Sequence, residues 1–197
     1  MDGVLVDSYE VWFHLLNHTA RAFGAPPISR EQFAGCWGQG IEKDVELFFP
    51  HRTVPEVEAF YHARFMEHAA HLRVDPDAVP VTERLRALGL RQCLITNTPG
   101  PLARDILGHA KLVLDDVVGG TDVPNGKPAP DMVLEACRRL GVATAHAVVI
   151  GDSRYDRAAA AAARVRFVGL RLDGERRIER LSETLDALDA CMPDGHL

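Results

Sequence analysis

Between Ser8 and Phe23 the apolar positions Tyr9, Trp12, Phe13, Leu16, Ala20 and Phe23 recur every three or four residues, which predicts a helix with one buried face. Gly24-Ala25-Pro26-Pro27 ends it. Ser29 is placed to cap a second, short helix, with Gln32 three residues on as its capping-box partner. Gly35, Gly38 and Gly40 surround Trp37 in a predicted loop. Ile41 to Phe49 and Val54 to His71 again carry helical spacing, with Pro50 and Pro55 as punctuation. Residues 9–78 are therefore expected to hold helices and no strand. Asp75-Pro76-Asp77, with Pro80, reads as a linker.

Beyond it the pattern alternates. Val81–Leu88 is a predicted helix stopped by Gly89, and Arg91–Thr96 a strand with Cys93, Leu94 and Ile95 in a row. Pro99–Leu107 (helix), Val117-Val118 (strand), Pro130–Leu140 (helix, stopped by Gly141) and Ala147–Ile150 (strand) follow. Tyr155–Ala163 is an alanine-rich helix, Arg166–Leu170 a strand, and Ile178–Leu188 an amphipathic helix with Leu181, Leu185 and Leu188 on one stripe. Strands alternating with helices imply βαβ units and a parallel sheet, and the short apolar strands fit burial on both faces.

Composition narrows the class. A hydrophobic fraction of 47% and a charged fraction of 25% are ordinary for a globular chain of 197 residues. The net charge of -6 speaks against a nucleic-acid binder, which needs a basic face. No apolar run approaches the roughly 20 residues that span a bilayer, and no targeting run is visible. Cys36, Cys93, Cys137 and Cys191 are far apart and form no CxxC pair, so reduced thiols in a cytoplasmic protein are expected.

In open parallel sheets ligands bind at the carboxyl ends of the strands. Those ends hold Asp2-Gly3, Thr96-Asn97-Thr98, Lys127 within Gly126–Asp131, and Gly151-Asp152-Ser153-Arg154-Tyr155-Asp156. Each has a purely structural reading: a helix cap for Thr96–Thr98, a solvated lysine, a first-turn acid for Asp156. A parallel sheet would bring all four to one edge. A hydroxyl, a cation and three carboxylates together suit chemistry on a phosphoryl group. The hydroxyl and lysine hold anionic oxygens, and carboxylates hold a magnesium ion. Asp152 and Asp156 are four apart at a helix start, so both can face one ion.

These four clusters, in this order and with a helical insert after the first, resemble the haloacid dehalogenase superfamily of phosphatases. Its first motif reads D-x-D-G-x-x-x-D-S. Asp2 matches the second aspartate of that motif, and Gly3, Asp7 and Ser8 match the rest. Thr96 matches the hydroxyl motif, Lys127 the lysine motif, and Asp152 with Asp156 the acidic motif. The resemblance spans nearly the whole chain. It implies an α/β fold: a doubly wound parallel sheet, the Rossmannoid core, formed by residues 1–8 and 79–197. A helical cap, residues 9–78, is inserted after the first strand, as in phosphoglycolate phosphatase-like and β-phosphoglucomutase-like members.

The resemblance further implies Mg²⁺-dependent hydrolysis of a small phosphorylated metabolite through an aspartyl phosphate. Asp2 would be the acid and base, and a metal ligand through its carbonyl. Thr96, Asn97, Lys127 and the Gly3 backbone would bind substrate, with Lys127 also neutralising the nucleophile. Asp152 would be the main metal ligand, and Asp156 a ligand or its neighbour. A sugar phosphomutase of the same superfamily and a catalytically dead binding protein are the alternatives. A dehalogenase is not expected, because that branch needs neither Asp2 nor Asp152.

The residue that would match the nucleophilic aspartate precedes Met1. The first strand is therefore expected to be mostly absent and the chain N-terminally truncated, by a start placed at an internal methionine or as a fragment, and inactive as it stands. In the insert, Trp37, Gln39 and Lys43 lie in the most suggestive stretch, with Trp37 or Lys43 candidates to touch the leaving group. The pairs His14/His18 and His68/His71 have helical spacing but no third metal ligand near them in sequence. Substrate identity and oligomeric state stay open. Without a central first strand, two strand edges would be unpaired. A version extended by an apolar strand ending in Asp should therefore melt at a higher temperature than the 197-residue chain; equal melting temperatures would contradict this.

Overall fold

The computed structural model describes residues 1–191. Met1 to Ser8 fold into a tight turn. The amides of Val4, Leu5 and Val6 all donate to the Met1 carbonyl, and Gly3 takes φ +74°, which its missing Cβ permits. Val6–Asp7 then forms strand β1, paired antiparallel with β2 (Arg73–Val74): Val6 faces Val74 and Asp7 faces Arg73. This ribbon corrects the expectation of no strand before residue 78. Both β2 residues are exposed and the strand is two residues long, so no alternation marks it in the sequence.

The ribbon closes a helical segment. It contains α1 (Tyr9–Phe23), α2 (Arg30–Cys36), α3 (Ile41–Phe48) and α4 (Val54–Arg64). Of the predicted face of α1, Trp12, Leu16 and Ala20 are buried while Tyr9, Phe13 and Phe23 are half-buried; the buried stripe is shifted to take in Val11 and Leu15, and Gly24 ends the helix in the left-handed conformation. The Ser29–Gln32 capping box forms, and a second links Thr53 and Glu56. The helix expected over 54–71 is in fact two elements, with Phe65–His71 tightening into a 3₁₀ turn. Phe65 is fully buried there, its ring 5.2 Å from Trp12, and Trp12 also meets Tyr61 at 5.4 Å. This aromatic cluster is the core of the segment.

The rest alternates as expected. α5 (Ala78–Ala87) takes Pro80 into its first turn, where an N–H would have no partner anyway. Then come β3 (Cys93–Ile95), α6 (Gly100–His109), β4 (Asp116–Val118), α7 (Asp131–Leu140), β5 (Val148–Gly151), α8 (Arg154–Ala163), β6 (Arg166–Leu170), β7 (Arg176–Ile178) and α9 (Thr184–Cys191). Ile178 was expected to open a helix. It instead ends β7 opposite Leu170, and the helix begins at Thr184, because three residues starting with two exposed arginines give no strand signal. The strands form two parallel ladders, β3–β4 and β5–β6–β7. Among the described residues no strand joins the free edges of β3 and β5, which is the pair of unpaired edges expected with the first strand mostly absent. Between them lies an apolar cleft of about 480 Å³, bordered by Leu94 and Ile95 on one side, Val149 and Ile150 on the other, and reached by Met1, Val4 and Leu5.

Leu170 is fully buried on β6, the middle strand of the three-stranded ladder, whereas Leu134 on α7 is 45% exposed. Urea unfolding of Leu170→Ala should show a loss of about 2–5 kcal/mol. Leu134→Ala should stay within about 0.5 kcal/mol.

Candidate active site

The turn after Met1, the ends of β3 and β5, and the loop before α7 converge on one pocket of about 240 Å³. Asp2, Thr96, Asn97, Lys127, Asp152 and Asp156 all line it. Ser8 is fully buried and its hydroxyl donates to Asp2 Oδ1, fixing that carboxylate. Gly3 lies behind the lining. A Cβ there would come within 1.9 Å of Asp152 Oδ2, so only glycine allows the turn to run against that acid. Arg171 holds the turn from outside, donating to the Gly3 carbonyl at 2.8 Å. It was not singled out from sequence, since a lone arginine after a strand carries no motif.

Thr96 is buried at the end of β3, where its hydroxyl accepts the Thr98 amide at 3.2 Å. Asn97 ties three segments together. Its amide nitrogen donates to the Gly38 and Lys127 carbonyls at 2.9 and 3.1 Å, and its oxygen accepts the Lys127 amide at 2.9 Å. The Lys127 ammonium lies 2.6 Å from Asp156 Oδ1, and both side chains are about nine-tenths buried. Asp156 Oδ2 accepts the Ser153 hydroxyl and amide, completing a capping box at the start of α8. Both Asp156 oxygens are thus engaged. Burial alone would raise its pKa, but Lys127, the Met1 α-amino group and Ser153 outweigh it, and the carboxyl lies below the usual range.

Asp152 behaves oppositely. Burial, seconded by the nearby Asp156, lifts its pKa above the usual value even though the Met1 α-amino group and Lys127 pull it down. The Met1 α-amino group is itself set among Asp2, Asp152 and Asp156, and burial with Lys127 lowers its pKa. The site is therefore crowded with carboxylate. Among the described residues no three His, Cys, Asp or Glu side chains converge as a ready cage. A cation here would be held by one or two carboxylates, backbone oxygen and water, which is the manner of Mg²⁺ and suits an all-oxygen donor set.

The helical segment supplies the rest of the pocket. Trp37 and Gln39 line it, whereas Lys43 is a surface lysine, its ammonium paired with Glu46 at 2.6 Å. Asp44, which the sequence reading did not single out, also lines the pocket, and the Tyr61 hydroxyl donates to its Oδ2 at 3.0 Å. Burial pushes the Asp44 carboxyl up to about 7, Tyr61 partly opposing and Glu42 adding. The four histidines do meet, His14 stacking on His71 at 4.4 Å and His18 Nδ1 lying 3.2 Å from His68 Nε2. None of them lines the pocket.

A family model described as haloacid dehalogenase-like hydrolase matches residues 1–170. A phosphoglycolate phosphatase of Chromobacterium violaceum is 32% identical, over 83% of this chain and 78% of its own length. One of Rhodobacter capsulatus is 29% identical, over 85% and 80%. Among solved structures, CbbY from Rhodobacter sphaeroides in complex with phosphate superposes with a TM-score of 0.80 at 23% identity, covering 96% of both chains. A hydrolase from Pseudomonas syringae gives 0.79 at 23%, covering 96% of this chain and 95% of its own. At these identities the structures establish a shared α/β fold.

Two outcomes follow from the buried charges. Lys127→Ala leaves Asp156 buried and unpaired, and should cost about 3–5 kcal/mol in chemical denaturation, with Asp156→Asn restoring part of the loss in the double variant. Asp44 has a folded-state pKa above its unfolded value, so the folded chain holds an extra proton between the two. Its contribution then falls as pH rises from the usual carboxylate range to about 7. Asp44→Asn should remove that part of the pH dependence of stability, read from melting temperatures across the same range.

Proposed function

The chain belongs to the family of haloacid dehalogenase-like hydrolases, and from that premise we propose that it acts on small phosphate monoesters as a magnesium-dependent phosphatase. The observation that carries this reading is the arrangement around Lys127: a cation locked at 2.6 Å by Asp156, facing the same pocket as Thr96, Asp2 and Asp152. Residues 1–8 and 79–197 are taken as the catalytic core and residues 9–78 as its cap. The relatives named phosphoglycolate phosphatases support the phosphatase reading.

Each residue then has a duty that its position allows. The Thr96 hydroxyl donates to one phosphoryl oxygen, and the Lys127 ammonium balances charge on another. Asp156 holds that ammonium in place and, with both oxygens engaged, is a positioning residue rather than a metal ligand. Asn97, whose amide is engaged with backbone, positions Lys127 and the Gly38 loop rather than gripping substrate. Asp2, fixed by Ser8, passes a proton to the leaving oxygen and later takes one from water. Asp152, with the Asp2 carbonyl, would hold Mg²⁺, which when bound neutralises phosphoryl charge. The pocket walls from the helical segment exclude water from the phosphoryl group.

In the family pattern the attacking aspartate stands two places before Asp2. A chain of these 197 residues is expected to bind phosphate esters with negligible turnover, and an apolar extension ending in Asp next to Met1 to turn them over. In the extended chain, Mg²⁺-dependent phosphate release from a panel of esters should rise by roughly a hundredfold or more. Lys127→Met and Asp152→Asn should each return it towards the unextended level. Release by the 197-residue chain at the extended chain's rate, or release indifferent to both substitutions, would sink this reading.

A further inference from the structure

The part of the pocket wall supplied by residues 9–71 carries a chemical choice. Trp12, Leu16, Phe33 and Trp37 give it an apolar, aromatic surface, and its one acid is Asp44, held by Tyr61. That part of the wall contains no lysine, arginine or histidine. Lys127, the lysine of the lining, is already paired with Asp156. The Tyr61 hydroxyl occupies Asp44 Oδ2, while Oδ1 has no hydrogen-bond partner among the described residues and is not sealed from solvent. A carboxylate oxygen open to a pocket accepts a hydroxyl and repels another carboxylate.

We propose that Asp44 is the specificity-determining residue of this pocket, selecting phosphate esters whose leaving group is an uncharged, hydroxyl-bearing alcohol and rejecting those whose leaving group carries a carboxylate. This rests on the phosphatase reading above and goes beyond it. The apolar rings cover C–H faces of such an alcohol, and Asp44 Oδ1 accepts one of its hydroxyls. A second carboxylate would meet Asp44 with no cation to pair it, which is selection by a repulsive element. A volume of about 240 Å³ lies at the small end of ligand pockets and suits a short polyol phosphate. The chain would then differ in substrate from its relatives named for phosphoglycolate, an ester whose alcohol leaving group carries a carboxylate.

The ionisable groups facing Asp44 are Tyr61 from α4, Cys36 from α2 and Glu42 on its own helix, and none is a base. Because burial holds Asp44 at about 7, rejection of a carboxylate should strengthen as pH rises through neutrality.

Trp12 and Trp37 line the pocket, so their fluorescence can report binding to the 197-residue chain with Mg²⁺ present. Three probes suffice: inorganic phosphate, glycerol 3-phosphate and 2-phosphoglycolate. At about pH 8, glycerol 3-phosphate should bind about tenfold more tightly than 2-phosphoglycolate, and the ratio should shrink at about pH 6. Asp44→Asn, which keeps an acceptor for Tyr61, should bring the ratio within about threefold and flatten its pH dependence. Phosphoglycolate binding as tightly as glycerol phosphate, or a preference that survives Asp44→Asn, would overturn the proposal while leaving the phosphatase reading intact. Should Asp44→Asn not fold, the unsubstituted chain decides, because a ratio flat in pH overturns the proposal too. Failure of all three probes to bind would overturn both.

Discussion

The buried pair between Lys127 and Asp156 is the constraint on which the pocket depends. Two charges nine-tenths out of water persist only if each finds its partner and its remaining hydrogen bonds. Lys127 adds the Ile95 carbonyl at 3.3 Å, at the end of β3, and Asp156 adds the Ser153 hydroxyl and amide at the start of α8. One ion pair therefore pins the ends of both ladders to the loop before α7. Asn97 repeats the tie through backbone, so the lysine is fixed at its root as well as its tip.

With Lys127 committed to Asp156, two further carboxylates, Asp2 and Asp152, are left in the same pocket. Burial, seconded by Asp156, holds the Asp152 carboxyl above its usual range. Under the proposed reading, an arrangement that crowds anions and admits a phosphate dianion calls for a divalent cation, because like charges in a partly buried site otherwise repel. The glycine at position 3 serves the same end, since any side chain there would push Asp152 out of line.

Much of this was legible in the residues. The βαβ alternation, the capping box at Ser29, the left-handed stop at Gly24 and the four strand-end clusters follow from periodicity and turn chemistry, and all six pocket-lining site residues named from sequence do meet. What escaped has physical causes. β2 and β7 are two and three residues long and largely exposed, so pairing rather than alternation defines them. The division of the sheet between β3 and β5 did not escape, since a mostly absent first strand leaves those two edges unpaired. Asp44 carries no motif, and the Tyr61 hydroxyl that meets it comes from seventeen positions away. Spacing placed Asp156 as a ligand or a neighbour of one, and only its partners Lys127 and Ser153 show what engages its oxygens.

The helical segment and the core meet through backbone at the point where choice and chemistry join. Asn97 donates to the carbonyl of Gly38, and Gly38, at φ +83°, leaves the Tyr155 ring in ordinary contact range of where a side chain would begin. A link made through a carbonyl is indifferent to the side chains on either side of it. Trp37 and Gln39 can therefore change without disturbing Lys127 or Asp156, and Asp44 lies one turn further on, in α3. The residues that hold phosphate are coupled by buried charge and tolerate little. The residues proposed to face the leaving group meet the phosphate end at Gly38 through a main-chain carbonyl, which leaves their side chains out of that link.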